Sequence, residues 1–203
     1  WFSLIRITGL LLVLLYHFFQ TIFPGGFFGV DVFFTFSGFL ITSLLLEEFG
    51  KARQIDLLGF FKRRFYRIVP PVVLMVLVTM PFTFLVRQDY VAGIGGQIAG
   101  VLGFMTNFYE MLTGGSYESQ FIPHLFVHNW SLAVEVHYYI LWGLAVWFLS
   151  KRSKSSSQLR GMVFLLSAGA FIISFFSMFI GSLMASSYSS VYFSSLTHVY
   201  PFF

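Results

Sequence analysis

The sequence predicts an all-α integral membrane protein, a polytopic helical bundle with about six spans in this chain. Three observations carry that prediction. The chain is 57% hydrophobic and 21% aromatic with 29 phenylalanines, a balance that a water-soluble domain does not reach because it must cover itself with polar surface. Only 10% of the residues are charged, and they gather between apolar runs that approach the roughly 20 residues a helix needs to cross a bilayer. Those runs are continuous, not alternating, and backbone groups in lipid must be satisfied within the segment, so they select helices over a barrel. The absence of cysteine excludes disulfides and thiolate metal sites. The net charge of +4 sits in short connections, where it reports orientation; no nucleic-acid partner is expected.

The spans follow in order. The first runs from about Leu4 to Ile22 and is broken by Phe23-Pro24-Gly25-Gly26. A second runs from about Phe28 to Leu46. The connection after it holds Glu47, Glu48, Lys51, Arg53, Asp56 and the cluster Lys62, Arg63, Arg64 and Arg67; as the stretch richest in Lys and Arg it is expected in the cytoplasm, with the N-terminus on the same side. The third span, about Ile68 to Val86, is expected to carry Pro70 and Pro71 in its first turn, where a missing N–H costs least. Arg87-Gln88-Asp89-Tyr90 reads as an outer turn. The fourth, about Val91 to Tyr109, has five glycines that permit close helix packing. Thr113 to Gln120 is a polar loop, the fifth span covers about Asn129 to Leu149 and the sixth about Gly161 to Met184, and the Ser-rich stretch Ser186 to Ser195 follows. The chain opens on Trp1 and stops at Phe203 inside what reads as another apolar segment, so a fragment is expected; no signal-peptide pattern precedes the first run, which is expected to be retained.

Six crossings create a conflict. If the third, fourth and fifth segments all cross, the basic stretch Lys151, Arg152, Lys154, Arg160 falls outside, against the charge rule. Either one segment is re-entrant, with Val91 to Tyr109 the first candidate, or this stretch is an exception.

Ionisable side chains at bilayer depth cost at least about 2.5 kcal/mol on insertion scales, so each one inside a span is a functional candidate. Arg6 and His17 are eleven residues apart, which at about 100° per residue puts them on one face about 16 Å apart along the axis. His17 can instead be satisfied by a neighbouring helix or sit at the outer interface beside Tyr16. Asp31 follows the glycine turn, where it either pairs with His17 or caps its helix. Glu135 lies on one helical face with His128, Ser131 and Tyr139, a polar stripe suited to lining a cavity, whereas His137 points away from it. His124 and His128 stand at a spacing that raises a metal site, but no acidic third ligand is suitably placed, so no metal is expected. Arg64 and Arg67, three apart, become neighbours if their segment is helical, and two planar forks side by side suit a phosphate; the competing reading is a plain orientation signal.

Taken together, Arg6 with His17, GVDVFFTFSGFLIT (Gly29 to Thr42), FKRRFYRIVP (Phe61 to Pro70) and WSLAVEVHYYILW (Trp130 to Trp142) resemble the acyltransferase family 3 membrane proteins, and among them most of all the bacterial peptidoglycan O-acetyltransferases. The likeness covers essentially the whole chain. It implies that residues 1–203 form the first six or so spans of a ten-span transmembrane domain in the bacterial inner membrane, with the later spans and any extracytoplasmic SGNH-type domain lying elsewhere. It implies acetyl transfer from cytoplasmic acetyl-CoA, the acyl-donor substrate, to a cell-envelope glycan hydroxyl, with membrane lipid around the chain. The family's essential histidine falls on His17, its membrane arginine on Arg6, its Arg-x-x-Arg pair on Arg64 and Arg67, and its Ser-Leu-x-x-Glu motif on Ser131, Leu132 and Glu135. Thr197-His198 stands where many relatives carry Thr-Arg, so no role carries over to His198.

The residues fit that chemistry without the family name. The bidentate forks of Arg64 and Arg67 match the phosphates of CoA, and an imidazole can take the proton of an attacking hydroxyl, or of a relay tyrosine, as a thioester is cleaved. Together with the resemblance, this casts His17, Asp31 and Glu135 as catalytic and Arg6, Arg64 and Arg67 as donor-binding. Two other readings stay open: O-acylation of another surface polysaccharide or of lipopolysaccharide, and a proton-coupled secondary transporter in which Arg, His and Glu form a relay.

Overall fold

The computed structural model describes residues 2–19, 21–22, 25, 28–86, 93–113, 124–184 and 191–203. Among these described residues the chain forms seven α-helices and no strand: α1 (Phe2–Phe18), α2 (Gly29–Ala52), α3 (Leu57–Val86), α4 (Ile94–Leu102), α5 (Thr106–Thr113), α6 (Trp130–Arg152) and α7 (Ser156–Met184). Four of them, α2, α3, α6 and α7, are long and apolar enough to cross a membrane, and α1 is a shorter apolar helix. The protein is thus an all-α, multi-pass membrane protein. The outer turn expected at 87–90, most of the expected polar loop and residues 186–190 of the Ser-rich stretch lie outside the described residues, as do Phe23, Pro24 and Gly26.

Two boundaries differ from the sequence reading. The helix expected to start at Ile68 starts at Leu57, so Pro70 and Pro71 are interior and not first-turn residues. The start is fixed by Asp56, whose Oδ1 accepts the Gly59 N–H at 2.9 Å while its carbonyl accepts the Phe60 N–H at 2.9 Å. That cap outweighs the prolines, whose missing donors leave only the carbonyls of Tyr66 and Arg67 without their helical partners. The expected fourth span is instead two short helices. Phe104 takes the left-handed conformation at φ 53°, and the N–H groups of Gly103, Phe104 and Met105 turn back onto Ala99, Val101 and Gly100. A Cβ on Gly96 would stand 3.0 Å from the Tyr109 ring, so the missing side chain lets α5 fold back close against α4. If the four long helices each cross once, the basic stretches 51–67 and 151–160 return to one side, and the conflict with the charge rule disappears.

The chain divides into two compact units, one of Trp1–Ile55, Val146–Phe175 and Val199–Phe203, the other of Asp56–Ala145 and Phe176–His198. In the first, α1 meets α2 at paired glycines: a Cβ on Gly29 would lie 2.6 Å from the Gly9 carbonyl oxygen. Further along α2, Gly38 accepts the backbone of Phe202 in the space where a Cβ would clash, and the Phe202 ring stacks on Phe34 at 4.4 Å. In the second unit a buried apolar cluster of Val72, Val76, Ile94, Val101 and Phe126 joins α3 to α4 and to the approach to α6. Gln97, 2% exposed, anchors that approach by accepting the Phe126 N–H. Phe60 lies against Gly143, where an added Cβ would stand 2.9 Å from the ring, so the missing side chain sets how α3 lies on α6.

Candidate functional site

Because α3 is helical through the cation cluster, Arg64 and Arg67 are neighbours on one face. With Pro71 of the same helix they wall one side of a cavity of about 220 Å³, whose other side is Leu132, Glu135 and Tyr139 of α6. On the expected stripe the Tyr139 hydroxyl donates a short hydrogen bond to Glu135, and the Ser131 hydroxyl donates to the His128 carbonyl at 3.3 Å. The Arg64 guanidinium lies 5.7 Å from the ring centroids of both Phe60 and Tyr139. Packing between two rings limits the freedom of a long side chain, so the fork is held in place before any ligand arrives. The Arg64 Nε is buried with no hydrogen-bond partner among the described residues.

A second cavity, of about 590 Å³, shares Arg64, Ile68 and Tyr139 with the first and is otherwise lined mainly by apolar side chains, among them Phe61, Phe65, Val136, Ile140 and Leu144. One guanidinium therefore borders both a polar recess and an apolar trough. Such a pair of cavities can hold a molecule with an anionic head and an uncharged arm.

Arg6, His17 and Asp31 belong to the first unit. Arg6 lies on α1, but its side chain is outside the described residues. His17 is exposed near the end of α1, its Nδ1 2.8 Å from the Val13 carbonyl and its ring edge-on to Tyr16. A carbonyl only accepts, so the Nδ1 carries the proton and the neutral ring has its basic lone pair on Nε2. Asp31 is the third residue of α2, behind an N-cap, Phe28, that has no capping side chain. A carboxylate there faces the positive end of the helix dipole, and its charge also reaches the Tyr200 phenol.

Sequence reasoning missed a second polar constellation, on α5. Thr106, Asn107 and Glu110 are all buried there, at 2%, 0% and 3% exposure. Glu110 Oε2 is 2.7 Å from the Nδ1 of His124, which the sequence reading had weighed only as a metal ligand with His128; among the described residues no three His, Asp or Glu side chains gather to hold a metal. Burial pushes the Glu110 carboxyl above its ordinary 4.5, and His124 pulls in the opposite direction. Asn107 Nδ2 donates to Ser195 Oγ at 2.9 Å, and Ser195 Oγ lies 2.9 Å from His137 Nδ1. His137 does point away from the Glu135 face, but it is hydrogen-bonded, not merely packed. The local signal was the polar run Thr106-Asn107 with Glu110 one turn later; its partners are too distant in sequence for any pattern to name them.

Comparison with known proteins agrees with the resemblance read from the motifs. The family described as an acyltransferase domain matches residues 1–203. The protein named O-acetyltransferase OatA from Staphylococcus aureus, in strains NCTC 8325 and COL alike, is 34% identical over 163 residues, which is 79% of this chain and 27% of that protein. The chain thus spans about a quarter of the length of these relatives. No solved structure matches it.

Proposed function

The chain belongs to the acyltransferase domain family, and from that premise we propose that it serves an O-acetyl transfer from cytoplasmic acetyl-CoA, through the bacterial inner membrane, to a hydroxyl of a cell-envelope glycan, peptidoglycan first among these. The observation that carries the proposal is the paired cavity around Arg64. CoA joins an anionic nucleotide to an uncharged pantetheine arm ending in the thioester. Arg64 and Arg67 take the phosphates through charge-assisted, bidentate bonds, and the trough along Phe61, Phe65 and Ile140 takes the arm. Glu135, bonded to Tyr139, keeps the recess polar and orients the cation pair, while for Arg6 a donor-binding role rests on the motif resemblance alone.

His17 acts as the general base on the hydroxyl that receives the acetyl group, using Nε2, with Asp31 supporting the imidazolium that forms. Base catalysis of this kind is typically worth about 100- to 10,000-fold, so His17→Ala should keep the fold and lose acetylation by that order; wild-type acetylation by the variant in cells would remove His17 from the mechanism. The acceptor is tested by mass spectrometry of muropeptides from cells with and without the protein. Acetyl esters that vanish with it support peptidoglycan. Esters that vanish from another surface polysaccharide instead would move the acceptor and keep the chemistry, and unchanged acetylation of every envelope glycan would contradict the proposal.

A further inference from the structure

The buried constellation on α5 and α6 has the parts of an activated nucleophile. Ser195 sits in a turn held by the His198 N–H on the Ser194 carbonyl at 3.1 Å and by the Thr197 hydroxyl on the carbonyls of Val191 and Ser194. Its Oγ receives the amide proton of Asn107 and lies 2.9 Å from His137 Nδ1. With the Asn107 donor already on the oxygen, the serine proton is the one available for the imidazole. A ring with its proton on Nε2 keeps Nδ1 as an acceptor, which is the tautomer a serine base requires.

Two further observations separate this from an ordinary structural network. A closed network satisfies all its members, because a buried polar atom left unpaired costs about 1–3 kcal/mol. Here the Oδ1 of Asn107, whose amide donates to the serine, and the Oγ1 of Thr106 beside it in sequence are buried with no partner among the described residues. The network also neighbours the donor cavity: Val136, next to His137 on α6, lines the apolar trough with Arg64 and Tyr139.

We propose that Ser195 is a covalent acetyl carrier with His137 as its base and Asn107 as its positioning residue, a reading that rests on acetyl-CoA being the donor. Ser195 Oγ attacks the acetyl carbonyl of the thioester, and its proton passes to His137 Nδ1. The C–S bond breaks and the departing thiolate takes that proton, leaving acetyl-Ser195 and free CoA. The hydroxyl of a relay group then attacks the ester, its proton passes to His137, the bond to Oγ breaks, and Ser195 recovers the proton, leaving His17 as the base at the final acceptor. Asn107 stabilises the serine oxygen each time it carries charge.

The test uses the protein in native membrane vesicles, given acetyl-CoA with a labelled acetyl group, quenched in acid and digested for peptide mass spectrometry. One acetyl ester on the Ser195 peptide is expected, absent in Ser195→Ala, with acetyl release from CoA about 100-fold slower or more in that variant and in His137→Gln. Acetyl-CoA affinity should stay unchanged in Ser195→Ala, which shows that the donor site is intact. Ser195→Cys should form an acetyl thioester that hydroxylamine removes, and it decides the matter if Ser195→Ala fails to fold: a Cys variant that transfers acetyl groups without acquiring one overturns the proposal. Wild-type transfer by Ser195→Ala overturns it and leaves the O-acetyltransferase reading standing. A wild-type protein that neither binds acetyl-CoA nor releases CoA from it overturns both.

Discussion

Helix α6 carries polar side chains on two faces under opposite conditions. On one face Glu135 and Tyr139 border a cavity with Arg64 and Arg67; two residues on, His137 faces Ser195, which accepts a hydrogen bond from the fully buried Asn107. The charges of the first face stand at an open recess, where solvent or a ligand can answer them. Around the second, the buried Glu110 is matched inside the protein by His124. The difference teaches which substitutions cost binding and which cost folding, since a charge at a cavity can await a ligand and a buried one must be paired in place.

The comparison predicts its largest effect on the dry side. Glu110→Ala removes the buried partner of a half-buried histidine and should destabilise the protein by about 1–3 kcal/mol, measured as thermal or denaturant unfolding in detergent; a loss under about 1 kcal/mol would show that the pair is not closed. Glu135→Ala should by contrast change stability by less than about 1 kcal/mol while weakening acetyl-CoA binding, and severe unfolding in that variant would erase the distinction between the two faces.

How much of this was legible follows from particular residues. Apolar run lengths disclosed α2, α3, α6 and α7, and helical spacing disclosed Arg64 with Arg67 and Glu135 with Tyr139, because those relations are local. The contact of Asn107 with Ser195 joins residues 88 apart, and that of His137 with Ser195 residues 58 apart; no periodicity encodes such pairs. The break at Phe104 was hidden for another reason. A phenylalanine with positive φ carries no compositional mark, and the apolar stretch from Val91 to Tyr109 reads as one span. At Pro70 and Pro71 the local preference for a helix start was overruled by the Asp56 cap upstream.

A smaller effect concerns pH. The Glu110 carboxyl is raised in the folded protein, so its contribution to stability is fully present below the unfolded value near 4.5 and is lost as pH rises through the folded value. Glu110→Gln should flatten that slope in unfolding experiments across the acid range, and an unaltered slope would assign it to another group. The smallest change expected is from Gly143→Ala. Its Cβ would press on the Phe60 ring at 2.9 Å, which can shift slightly, while alanine gains up to about 1 kcal/mol in helix propensity. Stability should therefore hardly move, and acetyl-CoA affinity should fall modestly as Arg64, one turn beyond Phe60, is displaced; an unchanged affinity would mean that the Phe60 ring does not set the fork.

The most direct test of the account is calorimetric titration of acetyl-CoA into the purified wild-type protein and its Arg64→Ala variant. Losing one charge-assisted fork removes about 1.5–3 kcal/mol, so the variant should bind roughly 10- to 100-fold more weakly, with its melting temperature without ligand essentially unchanged. Equal affinity in the two proteins would contradict the claim that the recess between α3 and α6 holds the donor.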